Sequence, residues 1–214
     1  MLDVIAQDRP DTVEPASPKR RAILGAAARL FMAEGYGAVS MDAVARAAGV
    51  SKATLYAHFG AKDRLFAAII TEACETMRSV DVGDDRSDLP LREALTRVGR
   101  QWLRFLLNDQ AMSVRRTVVA EGHKFPELAH AFYDSGPRVT RAWLADWVAR
   151  EVARGRLACP EPERAAGQFI ALLTSDLVLP ATLGIGPRAD DAAIEQSVQA
   201  AVDTFCRAFA TEGA

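Results

Sequence analysis

Apolar residues recur at steps of three and four along almost the whole chain, and no run alternates apolar with polar between hairpin-type turns. The pattern predicts an all-α protein. Ser17 as N-cap and Pro18 at the first helical position open a first helix, with Leu24, Ala27, Ala28 and Phe31 on one face and a stop near Gly35. Ser40 opens a short second helix reaching about residue 47, and Gly49 supplies the left-handed residue that ends it. Ser51 opens a third helix that stops before Gly60; a fourth runs from about 62 to 79 with Leu65, Ile69, Ile70, Ala73 and Met77 inward. The acidic, turn-rich stretch DVGDDRSDLP then marks a joint.

Beyond the joint the helices lengthen. Leu91, Leu95, Val98, Trp102 and Phe105 form a one-sided stripe, and a shorter helix covers about 111–121. A long segment to about 154 turns Leu128, Phe132, Val139, Trp143 and Trp147 inward, with Gly136 and Pro137 kinking or splitting it. Helices over about 163–179 and 191–210 complete the body. The apolar run 169–186 is broken by Thr174, Ser175, Asp176 and Pro180, so it reads as a buried helix and not a membrane span. The expected organisation is a leader over 1–17, a three-helix unit over 18–64 and a helical body over 65–214.

Half of the 214 residues are hydrophobic and a quarter charged, an ordinary globular composition, and the net charge of -2 is uninformative as an average. Its distribution is not. Residues 18–64 carry eight Lys or Arg against three acids, which leaves a net -7 on everything else. A basic module on an acidic body is the footprint of a protein that meets a polyanion at one end. Cys74, Cys159 and Cys206 have no metal-like spacing and read as reduced packing residues of a cytoplasmic protein. The acidic leader does not resemble a signal peptide. Three histidines, no nucleophile elbow and no glycine-rich phosphate loop argue against an enzyme, and His123 and His130 lack a third metal ligand, so neither cofactor nor metal is expected.

Two short helices joined by AAGV follow the helix-turn-helix plan, in which the second helix enters the major groove of double-stranded DNA. Val44, Ala45, Ala48, Val50, Leu55 and Phe59 can pack the pair onto the first helix, leaving Lys52, Ala53, Thr54, Tyr56 and His58 outward. Lys, Ser, Thr and Tyr side chains suit phosphates, and whichever side chains enter the groove read bases.

The run AILGAAARLFMAEGYGAVSMDAVARAAGVSKATLYAHFGAKDRLFAAII resembles the DNA-binding domain of the TetR family of bacterial transcriptional regulators. The matching points are Phe31, Gly35, Ala45, Gly49, Thr54, Leu55, Tyr56, His58, Phe59, Lys62 and Leu65. The resemblance implies that Thr54, Tyr56 and His58 touch phosphates, that Lys62 clamps the backbone from helix four, and that Lys52 and Ala53 read bases. Ser40 and Ser51 cap at the same edge, while Arg20 and Arg21 stand where an arm could reach a groove. Ala57 offers only contact with a thymine methyl, and Ala61 replaces the usual Ser or Asn cap at a cost of about 1 kcal/mol.

The stretch VVAEGHKFPELAHAFYDSGPRV is similar to the C-terminal domains of AefR-like and AcrR-like members, which often govern efflux pumps. In that resemblance the body is the sensor. Trp102, Phe105, Met112, Phe125, Phe132 and Phe169 are then candidate walls of an apolar effector pocket, with Arg116, His123 and Tyr133 as its polar groups. Phe169, Ile170, Leu173, Leu177, Val198, Val202 and Phe205 are candidates for a homodimer seam. The expectation is an all-α, dimeric repressor, with a helix-turn-helix head linked by helix four to a ligand-binding and dimerisation body, released from a palindromic operator by a small apolar effector. The competing reading is an effector-independent architectural or cell-division factor on the same scaffold.

Overall fold

A computed structural model describes residues 17–78 and 89–212. Among them are eleven helices: α1 (Pro18–Glu34), α2 (Met41–Ala47), α3 (Lys52–Phe59), α4 (Lys62–Arg78), α5 (Leu91–Leu106), α6 (Asp109–Glu121), α7 (Pro126–Ser135), α8 (Pro137–Ala153), α9 (Pro162–Thr174), α10 (Val178–Leu183) and α11 (Asp191–Phe209). The described residues contain no strand beyond an isolated bridge between Leu157 and Ala210. Residues 1–16 of the expected leader and 81–88 of the acidic joint lie outside the described residues.

The local signals act as their chemistry dictates. Ser17, Ser40 and Ser51 each accept a hydrogen bond from the backbone N–H three residues on, satisfying donors that the first turn leaves orphaned. Asn108 does the same for α6, which therefore starts two residues earlier than the apolar pattern suggests. Gly136 separates α7 from α8, and Pro137 begins the new helix, where its missing N–H costs nothing. The new helix takes its own register, so Val139 faces solvent and not the core.

The expected helix over 163–179 is two. Pro180 has no N–H to bond the Asp176 carbonyl and its ring would strike that turn, so α9 stops at Thr174. The Thr174 and Ser175 hydroxyls bond back to the carbonyls of Ile170 and Leu172 instead. Leu179, Leu183 and Ile185 are each more than 60% exposed, so the second half of the apolar run buries only part of its apolar residues, Val178 among them.

Two apolar cores result. One joins α1, α2, α3 and α4, centred on Ile23, Leu55, Leu65 and Phe66, and takes in Val114 of α6 and Leu128 of α7. The other fills the body, where α5, α8, α9 and α11 meet around Leu95, Trp147, Phe169 and Phe205. Gly99 lets α5 pack closely under α9 and α11: a Cβ there would lie 2.9 Å from Leu173 Cδ2 and 3.2 Å from Val198 Cγ1. Glu151, 1% exposed, is held between Arg154 and Arg156.

This core corrects the expected dimer seam. Phe169, Leu173, Val198, Val202 and Phe205 are all buried inside their own chain, with the Phe169 and Phe205 rings 5.1 Å apart, while Ile170 and Leu177 pack half-buried against them. The apolar faces of α9 and α11 are consumed in covering α5 and α8. Their exposed residues include small and polar ones, Gln168 and Ala171 on α9 and Gln199, Ala200, Thr204 and Ala208 on α11, beside the charged Glu163, Arg164 and Arg207.

Candidate nucleic-acid interface

The turn between α2 and α3 is closed by its backbone. Gly49 adopts φ 66°, and the Gly49 and Val50 N–H groups return to the carbonyls of Arg46 and Ala45. Val44, Ala45, Leu55 and Phe59 are buried against α1, so the orientation of α3 is fixed by the side that faces inward. Lys52, Ala53, Tyr56, Ala57 and His58 are left exposed along the other side. Tyr56 is 42% exposed and is the one large apolar side chain so exposed among the described residues of α1 to α4.

Several of these groups already have partners. The Thr54 hydroxyl shares a 2.7 Å hydrogen bond with Ser51, so both residues secure the start of α3. The Lys52 ammonium lies 2.9 Å from an Asp42 carboxylate oxygen on α2 and 5.8 Å from the Tyr56 ring centroid. Its hydrogen bond to Asp42 holds its pKa above the usual lysine range. Ser40, Arg21 and Ala53 are exposed.

At the far end of α3, Arg20, Tyr56, His58, Gly60 and Arg64 line an open hollow of about 430 Å³. The Arg20 guanidinium stands 5.7 Å from the Phe59 ring centroid and 3.6 Å from Glu72. Arg64 is a residue that sequence reasoning counted as charge without assigning it to the face. The available signal was its place two residues after Lys62, on the opposite side of α4.

Lys62 itself departs from the expected phosphate clamp. Its ammonium lies 4.2 Å from the Tyr36 ring centroid and 5.9 Å from that of Phe31. Burial pulls its pKa down, while Glu121 and Glu127 pull the other way. An aromatic face and two carboxylates hold the ammonium on the body side of the head. Burial also pushes Tyr36 up to about 12, helped by Glu127 and Asp63.

The expected effector residues lie in different surroundings of the described structure. Trp102, with Leu106, Ile170 and Leu173, bounds an apolar seam with no room for a water molecule. Met112 and Phe169 are in the body core, and Phe105 touches both cores. Phe125 and Phe132 pack against the head core, the Phe125 ring lying 5.5 Å from Tyr36. Arg116 donates to the carbonyls of Ala181 and Thr182 at the end of α10, and His123 and Tyr133 are exposed. Among the described residues no three His, Cys, Asp or Glu side chains gather closely enough to hold a metal ion. No helix among them is long and apolar enough to cross a membrane.

Residues 23–69 match the model of the bacterial regulatory proteins of the tetR family, and residues 93–211 match that of the AefR-like transcriptional repressor C-terminal domain. The solved structure of the flavonoid-responsive regulator FrrA is 37% identical, with a TM-score of 0.74 over 91% of this chain and 98% of that one. A TetR-family regulator from Mesorhizobium loti is 25% identical with a TM-score of 0.78, over 90% of this chain and 97% of the other. An uncharacterized HTH-type transcriptional regulator of Mycobacterium bovis is 34% identical over 140 residues, which span 63% of this chain and 66% of that protein. A three-helix head with an outward α3, a helical body behind it, and family models that together cover most of its length make this chain a DNA-binding transcriptional regulator of the TetR family.

Proposed function

We propose that the chain is a dimeric repressor that holds a palindromic operator and releases it when a small, largely apolar effector enters the body. The observation that carries the DNA-facing half is the exposed row Lys52, Ala53, Tyr56, Ala57 and His58 on a capped helix, running into the Arg20–Arg64 hollow. Tyr56, His58, Arg20 and Arg64 are suited to phosphate oxygens. Lys52 and Ala53 lead the helix into the groove, with Lys52 exchanging Asp42 for a base edge. Thr54, Ser51 and Ser40 act on DNA through the helix starts that they hold. The head is residues 18–64, with 65–214 as sensor and dimerisation body.

Dimerisation would use the outward faces of α9 and α11, where Ala171, Ala200, Thr204 and Ala208 let helices approach closely. A two-fold pair would place its recognition helices about 34–36 Å apart, matching successive major grooves. For the effector, the likeness to FrrA makes a planar phenolic compound the first candidate. It would have to open the closed Trp102 seam, a population shift of the kind that couples two sites by about 1–3 kcal/mol.

That closure is also the observation favouring the effector-independent reading. Operator-bound protein titrated with flavonoids, then with other apolar compounds, decides between them. Release by at least one class is expected. Binding unmoved by every compound, with no thermal shift of the free protein, supports the second reading.

A further inference from the structure

Among the described residues, the head meets α6 of the body through a polar contact between residues far apart in the chain. The Glu121 carboxylate, at the last residue of α6, accepts from the backbone N–H of Tyr36 at 3.0 Å and of Gly37 at 2.7 Å, one oxygen for each. Both donors belong to the loop between α1 and α2 of the head. The fit is close: a Cβ on Gly35, which sits at φ 83°, would come within 2.5 Å of Glu121 Oε1. One on Gly37 would lie 2.9 Å from the Phe125 ring and 3.1 Å from Glu121 Oε2. Phe125 packs edge-on against Tyr36, and the Lys62 ammonium lies 4.2 Å from the centroid of that ring. Five residues earlier on the same helix, Arg116 grips the carbonyls of Ala181 and Thr182 at the end of α10. Helix α6 is thus tied to the body through Arg116 and to the head through Glu121.

We propose that Glu121 is a positioning residue for DNA binding: its carboxylate latches the α1–α2 loop to α6 and so sets the angle at which the body presents α3, without touching DNA. A carboxylate receiving two aligned backbone donors makes charge-assisted bonds, stronger and more directional than apolar packing. Apolar contact through Val114 and Leu128 tolerates sliding; two N–H groups on two oxygens define one orientation. Opening the latch frees the head to sample orientations in which only one of two recognition helices can dock. The inference rests on the DNA-binding reading and not on the effector.

The test uses the full chain as wild type, Glu121→Gln, Glu121→Ala and Gly37→Ala, on an operator selected with wild type. In Glu121→Ala the amides of Tyr36 and Gly37 should exchange on the order of tenfold faster or more, with the amides of α3 and α5 unchanged. Operator affinity should fall about tenfold with an unchanged salt slope, since no phosphate contact is lost. Glu121→Gln, retaining one acceptor oxygen, should be intermediate. Gly37→Ala, which pries the contact apart with Glu121 intact, should match Glu121→Ala. Unaltered exchange at Tyr36 and Gly37, or affinity within twofold of wild type despite lost protection, would overturn the proposal. A wild type that selects no DNA would fail at the first step and condemn the underlying reading instead.

Discussion

At the scale of single residues, side chains that look equivalent in the sequence separate by what surrounds them. Lys52, Lys62 and Arg64 are all cations near α3. Lys52 is paired with Asp42 across the turn, Lys62 is drawn onto Tyr36, and Arg64 borders the open hollow. Arg64→Ala is therefore expected to lower the salt slope of operator binding by about 0.9, the share of one phosphate, whereas Lys62→Ala should leave the slope intact. Binding isotherms between low and moderate salt measure both. Asp42→Asn should tighten binding several-fold at low salt, by removing a negative charge near the phosphates and freeing Lys52. The caps and the outward donors of α3 were legible in the sequence because they act within three or four residues of their partners. The destination of Lys62 was not, since Tyr36 and Glu121 reach it only through the fold. Tyr36 adds a pH test. Its folded pKa, raised to about 12, exceeds the unfolded value near 10, so the stability tied to its neutral phenol is present below pH 10 and lost as pH rises towards 12. Wild type should thus lose more stability than Tyr36→Phe between pH 10 and 12, by up to about 2–3 kcal/mol on denaturant titration.

Among the elements, those with a clean 3.6-residue period and a chemical stop signal were predicted well. α1, α2 and α3 have Ser caps and glycine ends, and the α7–α8 split sits at Gly136 and Pro137 where expected. The α9–α10 break was missed because apolar residues continue at helical spacing through it, hiding a register change that Pro180 enforces. Helix faces were harder still. An apolar stripe states that a helix buries one side but not against what, which is why Phe169, Val198 and Phe205 were expected at a seam and lie in the core. Gly99 tests the packing of α5 under α9 and α11. Gly99→Ala should overpack it by about 1–3 kcal/mol. A melting point lowered by several degrees, with operator affinity unchanged below the transition, is the expected outcome.

For the molecule as a whole, the sequence exposed the division of labour through charge: a basic head on an acidic remainder. It did not expose how the two communicate, because Glu121 and the loop it grips are 84 and 85 residues apart. The effector site was the least legible part. Its candidate residues are scattered between two cores, the α10 end and the surface, and an apolar residue lining a pocket has the same sequence signature as one filling a core. In the proposed function, two heads on a two-fold body read one palindromic operator through α3. Selection of double-stranded DNA from a random pool with all 214 residues present measures this. The expected outcome is enrichment of an inverted repeat with half-site centres about one helical turn apart, lost in Tyr56→Ala. Enrichment of a lone half-site, or of no sequence, would contradict it.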